Sequence, residues 1–299
     1  LNALADVNGI LLLDKPLGLS SAGAVARVKY LFGARKAGHT GSLDPLASGL
    51  LPICFGEATK FGAQMLDADK TYQVVARLGE RTASADLESE IIERRELPPF
   101  TAGDIAAALA NFPRRYDQVP PMHSAIKQDG RPLYEYARAG QIREREARLI
   151  TIHALRLLDW RSPDVHFEVT CSKGAYIRVL AEDLAKSLGT IAHLTALRRV
   201  AVAPFDRDQP LRTIEALEGL TVPQRQQLLL PVDAALQSWR RYDLPEGGVA
   251  AFRQGQTLSV PAAEPGNVRI YAAGLGFLGL AELQAAGRLV PLRLVSAAR

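Results

Sequence analysis

Residues 38–52, GHTGSLDPLASGLLP, limit what this chain can become more than any other stretch. They make neither a good helix nor a good strand. Four of the first seven residues (Gly38, Thr40, Gly41 and Ser42) favour loops and turns, and Asp44-Pro45 ends the loop abruptly. One imidazole, His39, and one carboxylate, Asp44, stand five residues apart in a backbone that can bend sharply. A loop of that kind holds a reactive side chain out toward a substrate.

The rest of the chain has the means to build a scaffold for such a loop. Its 299 residues suffice for one large domain and a small one, and 47% hydrophobic with 23% charged residues supports a real core. A net charge of +4 suits a polyanionic partner without demanding one. Cys54 and Cys171 are far apart and outside any C-x-x-C pattern, so two reduced core thiols are expected rather than a disulfide or a zinc site. Residues 1–8 lack the basic and apolar regions of a signal peptide, and no apolar run reaches the roughly 18 residues of a membrane span. The expectation is a soluble, cytoplasmic protein, and Leu1 suggests that the chain begins inside its gene product.

Gly9 to Leu13 is expected as a buried strand, and 14–18 turn the chain. Ser20 or Ser21 caps a helix with Val25, Val28, Leu31 and Phe32 at helical spacing and Gly33 at its end. Arg27, Lys29, Arg35 and Lys36 lie on its outer face and exit, as a solvated face or as phosphate contacts. Thr71 to Leu78 alternates, with Tyr72, Val74, Ala76 and Leu78 on one side; Val165, Phe167 and Val169 alternate likewise. Thr101 and Asp104 form a capping box for a helix through Ala110. A further helix runs from about Tyr176 to Leu188 and stops at Gly189, and helical residues near 223–229 precede a link near 239–241. From Tyr242 onward, short apolar runs between glycines and prolines predict a small all-β domain.

Residues 113–148 differ in texture. Arg114, Arg115, Lys127, Arg131, Arg138, Arg143, Arg145 and Arg148 are interleaved with Tyr116, Tyr134 and Tyr136, around a short helix ended by Gly140. Cations mixed with aromatics suit RNA, whose phosphates pair and whose bases stack. Glu135, Glu144 and Glu146 dilute that signal.

Asp44 has two readings. Aspartate before proline is a known helix start, so Asp44 is an N-cap, or it is a nucleophile. Both hold together if Pro45 opens a short helix whose dipole keeps the carboxylate ionised. Arg178 falls in the first turn of its helix, at the wrong end of the dipole for a cation, which calls for exposure or for a compensating anion. Spacing does not choose that anion. Tyr72 reads as a core tyrosine. His39 could stack on a base, move a proton or tie down its loop. His39, His123, His153, His166 and His193 are scattered without metal-ligand spacing, and no phosphate-binding glycine motif is present.

GHTGSLDPLASGLLP resembles the catalytic motif of the TruB family of tRNA pseudouridine synthases. LDKPLGLSS at 13–21, GEATKF at 56–61, DKTY at 69–72, QVPPMHSAIKQDGRPLYEYARAG at 118–140, CSKGAYIRVLAEDLA at 171–185 and HLTALRRVAV at 193–202 resemble further family blocks, in family order. Ser84 and Ser89 depart from the Thr and Gly usual there. The resemblance implies an α+β pseudouridine synthase fold: a central mixed, largely antiparallel sheet flanked by helices and loops. It also implies a catalytic domain over 1–238, with 113–148 as an RNA-clamping insertion, and a PUA-like RNA-binding β domain over 239–299. The reaction implied is isomerisation of uridine at position 55 in the T-loop of tRNA, with no cofactor, no metal and no obligate protein partner, by a monomer. Carried over, Asp44 is the nucleophile, Arg178 its partner, and Tyr72 stacks on the flipped base and is a candidate for proton transfer. Tyr176 and Leu197 line the uracil pocket and His39 contacts displaced nucleotides. Lys15, Lys60, Arg143, Arg145 and Arg148 are candidate RNA contacts.

Three rivals are set against that reading. A non-catalytic tRNA-binding or folding protein on this scaffold would have lost Asp44 or Arg178. A guide-RNA-dependent rRNA relative would carry partner-binding extensions. A glycoside hydrolase would need a second carboxylate beside Asp44.

Overall fold

The structure, a computed structural model, describes residues 6–296, so 1–5 and 297–299 of the stretches read above lie outside the described residues. Strand β1 (Gly9–Lys15) leads to helix α1 (Ser21–Leu31), capped by Ser20, whose hydroxyl accepts from the Gly23 amide. Strands β2 (Ala37–His39) and β3 (Ala47–Phe55) follow, then a 3-10 turn (Gly56–Phe61), α2 (Gly62–Leu66) and β4 (Lys70–Leu78). A small hairpin of β5 (Glu80–Thr82) and β6 (Ile91–Arg94) precedes α3 (Ala102–Asn111), which starts on the expected Thr101/Asp104 capping box, and β7 (Arg115–Gln118). The next segment carries β8 (Lys127–Gln128), β9 (Arg131–Pro132) and α4 (Leu133–Arg138). It returns through β10 (Arg148–Arg161), β11 (Asp164–Cys171), α5 (Ile177–Ser187), β12 (Ala192–Val202), α6 (Ile214–Glu218) and α7 (Val222–Gln226). The C-terminal part consists of β13 (Arg240–Asp243), α8 (Glu246–Arg253), β14 (Leu258–Ser259), β15 (Gly266–Ala272), β16 (Gly276–Gln284) and β17 (Arg288–Leu294).

An eight-stranded sheet in the order β1-β3-β12-β4-β11-β10-β7, with β2 paired to β3, forms the centre. Only β3 and β12 run parallel; every other neighbouring pair is antiparallel, which makes the expected mixed, largely antiparallel α+β sheet. The alternation in β4 is the physical reason that one face is closed. Tyr72, Val74, Ala76 and Leu78 are buried, as are Val165, Phe167 and Val169 beside them, and α1, α3, α5 and α6 cover that face. On the other side of the sheet, Ile10, Leu12, Leu50 and Cys54 pack under Ala58 and Met65 of the segment after β3. The two thiols are free and buried.

Two local expectations are corrected. Pro45 opens no helix. Asp44 to Ala47 is a turn closed by the Ala47 amide on the Asp44 carbonyl at 3.0 Å, with proline in the second position, which its fixed φ suits. From Ala47 the chain is already a strand, because Ala47, Ser48 and Gly49 pair in parallel with Leu197, Arg198 and Arg199. The opening stretch is therefore a hairpin loop: His39 sits opposite Ile53 and Gly38 opposite Cys54. Gly49 is fixed by this arrangement. Its φ is +99°, and a Cβ there would stand 2.2 Å from the Arg199 carbonyl oxygen.

The C-terminal part is not all-β. The glycines of EGGVAAFR hid α8, which packs Phe252 into a core with Leu244, Val268, Ile270 and Leu283. Arg240 and Arg241, read as a link, begin β13, which runs parallel to β15. This sheet is tied to the rest of the chain by Phe277 against Phe61 of the 3-10 turn and by a buried ion pair of Arg269 with Asp233, in the loop after α7, at 2.9 Å. Of the four cations on the outer face and exit of α1, two are engaged with protein: Arg27 pairs with Glu218 and Arg35 with Asp6.

Candidate active site

The loop between β2 and β3 is held by side chains that come from the strands and helix around it. Ser21, at the start of α1, donates to the Leu43 carbonyl at 2.9 Å and accepts from the Leu43 amide at 2.7 Å. Arg199, fully buried on β12, donates to the carbonyls of Leu50 at 2.8 Å and Gly41 at 3.1 Å. Lys15 is equally buried and braces the neighbouring turn between β1 and α1: its ammonium donates to the carbonyls of Pro16 and Leu19, and the Gly18 amide of that turn donates to the Pro45 carbonyl at 2.8 Å. A polar loop surrounded by protein needs such donors, because an unpaired buried carbonyl costs about 1–3 kcal/mol.

So braced, the loop points Asp44 at Arg178. The Asp44 carboxylate lies 3.0 Å from the Arg178 guanidinium, whose side chain is 5% exposed. A second carboxylate, Asp86, approaches the same guanidinium to 3.4 Å from the loop after β5 and is almost wholly buried. The carbonyls of Ser84 at 3.1 Å and His123 at 2.7 Å accept from its Nη1 and Nη2. The unfavourable place of Arg178 in the first turn of α5 is thus offset by two anions. Sequence reading had left open exposure or one compensating anion.

Asp44 is crowded by protein but not sealed, since 41% of its side chain faces an open cleft. Burial pushes its pKa above the usual carboxylate range. Arg178 pulls it down, Asp86 pushes it up again, and Lys15 helps to lower it. Side-chain cations, not a helix terminus, therefore favour its ionised form.

The cleft holds a cavity of about 270 Å³ lined by Asp44, Tyr72, Tyr176, Arg178, Leu197 and Arg199, among others. That is near the lower edge of the roughly 300–1,000 Å³ usual for small-molecule sites, room for one small ring system. Strand register explains how residues so distant in sequence meet. Tyr72 on β4 is level with Arg199 on β12, and Leu197 of β12 is level with Ala47 at the loop's exit. Tyr176 arrives as the N-cap of α5. Burial raises the pKa of the Tyr72 phenol, with Arg199 pulling the other way.

The other sequence candidates lie apart from this cavity. His39, half-buried on β2, has its pKa lowered by burial and by Arg199, so it is neutral at pH 7, and its Nδ1 lacks a partner among the described residues. Lys15 braces the turn between β1 and α1, and burial lowers its pKa to about 8. Lys60 donates to Glu57 at 2.7 Å, to the Leu294 carbonyl at 3.2 Å and to Ser296 at 2.7 Å, so it bolts the 3-10 turn to the end of the chain. Arg143 stacks on Tyr136 at 4.4 Å. Arg145 donates to the carbonyls of Pro120 and Arg143. Arg148 is exposed at the start of β10. Sequence reasoning missed Asp86, Ser21 and Arg199. For Arg199 there was a signal: two adjacent arginines in a strand must face opposite ways, so one of Arg198 and Arg199 had to point inward.

Comparison with known proteins identifies the family. Residues 29–177 match the model of the TruB family pseudouridylate synthase N-terminal domain. Residues 178–237 match the tRNA pseudouridylate synthase B C-terminal domain, and 242–295 match pseudouridine synthase II TruB, C-terminal. The chain is 50% identical over 296 residues to the tRNA pseudouridine synthase B of Burkholderia mallei, covering 97% of each. It is 52% identical over 302 residues to that of Ralstonia nicotianae, covering 97% of this chain and 95% of the other. Among solved structures, a chain of an H/ACA ribonucleoprotein bound to a substrate RNA containing 2′-deoxyuridine shares the fold. The TM-score is 0.73 at 22% identity, over 98% of this chain and 86% of that one. With family models following one another from 29 to 295 and relatives at half identity along nearly its whole length, the chain belongs to the TruB family of pseudouridylate synthases.

Proposed function

We propose that this chain isomerises uridine to pseudouridine in tRNA, at position 55 of the T-loop, with Asp44 as the nucleophile and without a guide RNA. The observation that carries this reading is the Asp44–Arg178 pair at the floor of a cavity walled by Tyr72, Tyr176 and Leu197. The relatives named tRNA pseudouridine synthase B supply the substrate class.

Isomerisation breaks the C1′–N1 bond, turns the uracil, joins C5 to C1′ and releases the C5 proton to a base. No electron is gained or lost overall, so no redox partner is required. An ionised Asp44 either attacks C1′, leaving uracil as the departing group, or takes a sugar proton to give a glycal-like intermediate. A buried T-loop uridine must first be extruded, and the cavity admits one base between its tyrosines. Tyr72, with its phenol held protonated by burial, presents a ring face for stacking.

We assign residues 1–238 to the catalytic domain and 239–299 to a PUA-like RNA-binding domain, in a cytoplasmic monomer; among the described residues no helix is long and apolar enough to cross a membrane. Mapping pseudouridine in unmodified tRNA exposed to the pure protein tests the reading. Conversion of a single T-loop uridine without added guide RNA is expected; conversion only with a guide would favour the rRNA-directed alternative.

Within the 113–148 clamp, Arg145 and Arg148 are expected to behave differently. Arg148→Ala is expected to weaken tRNA binding and to lower the slope of log K against log salt by about 1, as for one lost phosphate contact. Arg145→Ala, whose guanidinium is held by carbonyls, should leave that slope unchanged. Filter binding at several salt concentrations checks both; equal slopes for Arg148→Ala and the parent would place the phosphate path elsewhere.

A further inference from the structure

Helix α5 begins without a cap of its own. Its N-cap, Tyr176, makes no side-chain capping bond. Its first-turn residues Ile177, Arg178 and Val179 include no Glu or Gln at the third position to reach back to the N-cap amide, as a capping box would. Gln118, the last residue of β7 and 2% exposed, does this from another element. Its Oε1 accepts from the Tyr176 amide at 2.7 Å, and its Nε2 donates to the Tyr176 carbonyl at 3.2 Å. A third bond, from Nε2 to the Tyr116 hydroxyl at 2.9 Å, fixes the amide group itself. One bond would leave Tyr176 free to pivot; two bonds to both its peptide groups do not.

What is gripped in this way matters to the site. Tyr176 lends its ring to the cavity wall, and Arg178, two residues on, pairs with Asp44. The limb that leaves Gln118 also reaches both residues: His123 accepts from Arg178 through its carbonyl at 2.7 Å, and Ser124 lines the cavity with Tyr176. At its root the limb is fastened to the central sheet, where Gln118 sits opposite Arg148. We propose that Gln118 is a positioning residue for isomerisation, clamping the start of α5 so that the Tyr176 ring and the Arg178 guanidinium stand in register with the extruded base and Asp44. The segment read as an RNA clamp thereby also holds part of the reaction site in place. This proposal rests on the tRNA pseudouridine synthase reading.

A role in stability alone would lower the melting temperature and leave the chemistry of the folded protein intact. A positioning role separates rate from affinity, because misplacement by about 1 Å costs on the order of 10²-fold in rate. The test uses Gln118→Met, of similar length without hydrogen-bonding groups. Its single-turnover rate of pseudouridine formation is measured at saturating enzyme, at a temperature where circular dichroism shows parent and variant fully folded. The rate is expected to fall by about 10- to 100-fold while tRNA Kd stays within about threefold. A rate within twofold of the parent, or a loss matched by a change in Kd, overturns the proposal. If Gln118→Met does not fold, Gln118→Glu makes the same test: it keeps the acceptor for the Tyr176 amide and loses the donor to its carbonyl, and the same split is expected. The parent is assayed alongside. Its failure to convert any T-loop uridine would overturn the functional reading and this proposal with it; parental conversion with an unaffected variant overturns the role of Gln118 alone.

Discussion

Asp44→Asn is expected to lose at least about 10³-fold in isomerisation while binding tRNA as the parent does, the scale on which a nucleophilic or acid–base carboxylate matters. Asparagine keeps the size of the side chain and an acceptor for Arg178, so the cleft should keep its shape. It cannot attack C1′ or take a sugar proton. Tritium release from tRNA labelled at uracil C5 measures the loss, and turnover within tenfold of the parent would remove Asp44 from the chemistry. The same group sets a pH dependence. Only ionised Asp44 is active, and burial together with Asp86 raises its pKa against the pull of Arg178. The acid limb of kcat/KM should therefore lie above the value of about 3.9 of a free aspartate, with activity present above that limb and lost as pH falls through it. Asp86→Asn removes a like charge and frees Arg178 for Asp44, so the limb should move to lower pH. A limb unmoved by Asp86→Asn would mean that another group titrates there.

How far the sequence led depends on the kind of residue. Alternation marked Tyr72 and its strand as half-buried, and the register of β4 and β12 then set Tyr72 beside Arg199. Arg178 announced itself by standing at the wrong end of a helix dipole, a local conflict that exposure or a distant anion could relieve, and its burial beside two carboxylates decided for the anion. The roles of Asp44, Tyr176 and Leu197 came from family resemblance, since nothing in their spacing shows that they meet; the meeting requires the parallel pairing of β3 with β12 in the central sheet. Asp44-Pro45 misled because the dipeptide suits a helix start and a turn equally well, and tertiary pairing from Ala47 onward decided for the turn. Asp86 was invisible for a different reason. A buried aspartate in a polar run looks like its exposed neighbours until a partner such as Arg178 is seen.

The cluster that results is an anion pair sharing one cation. Arg178 has fixed partners on every side: Asp44 and Asp86, plus two carbonyls. Such a guanidinium cannot follow Asp44 if the carboxylate moves during reaction. Its field stays where charge must be held, which is preorganisation in the sense that lowers a barrier without reorganisation at the moment of reaction. Arg199, by binding the Gly41 carbonyl, and Ser21, by binding both peptide groups of Leu43, keep the other partner equally still.

Arg178→Met follows from that arrangement as the second large effect. It removes the shared cation and leaves Asp86 buried with no counter-charge, while Asp44 faces it from the cleft. Breaking a buried ion pair from one side costs about 3–5 kcal/mol. The Asp44 half counts for less, because its side chain is 41% exposed and solvent screens it. A loss near the lower end, about 3 kcal/mol, is expected in denaturant unfolding. Isomerisation should fall by about 10²-fold or more, since Asp44 loses both its orientation and the charge that favours ionisation. The double variant Arg178→Met/Asp86→Asn separates the two losses. Neutralising Asp86 should return most of the stability, because the stranded charge is gone, and little of the activity, because Asp44 still has no partner. In a double-mutant cycle the two substitutions should couple by more than about 1 kcal/mol in stability. Additive stabilities would mean that Asp86 does not depend on Arg178, and recovery of activity together with stability would mean that Arg178 serves the fold and not the carboxylate at the centre of the cleft.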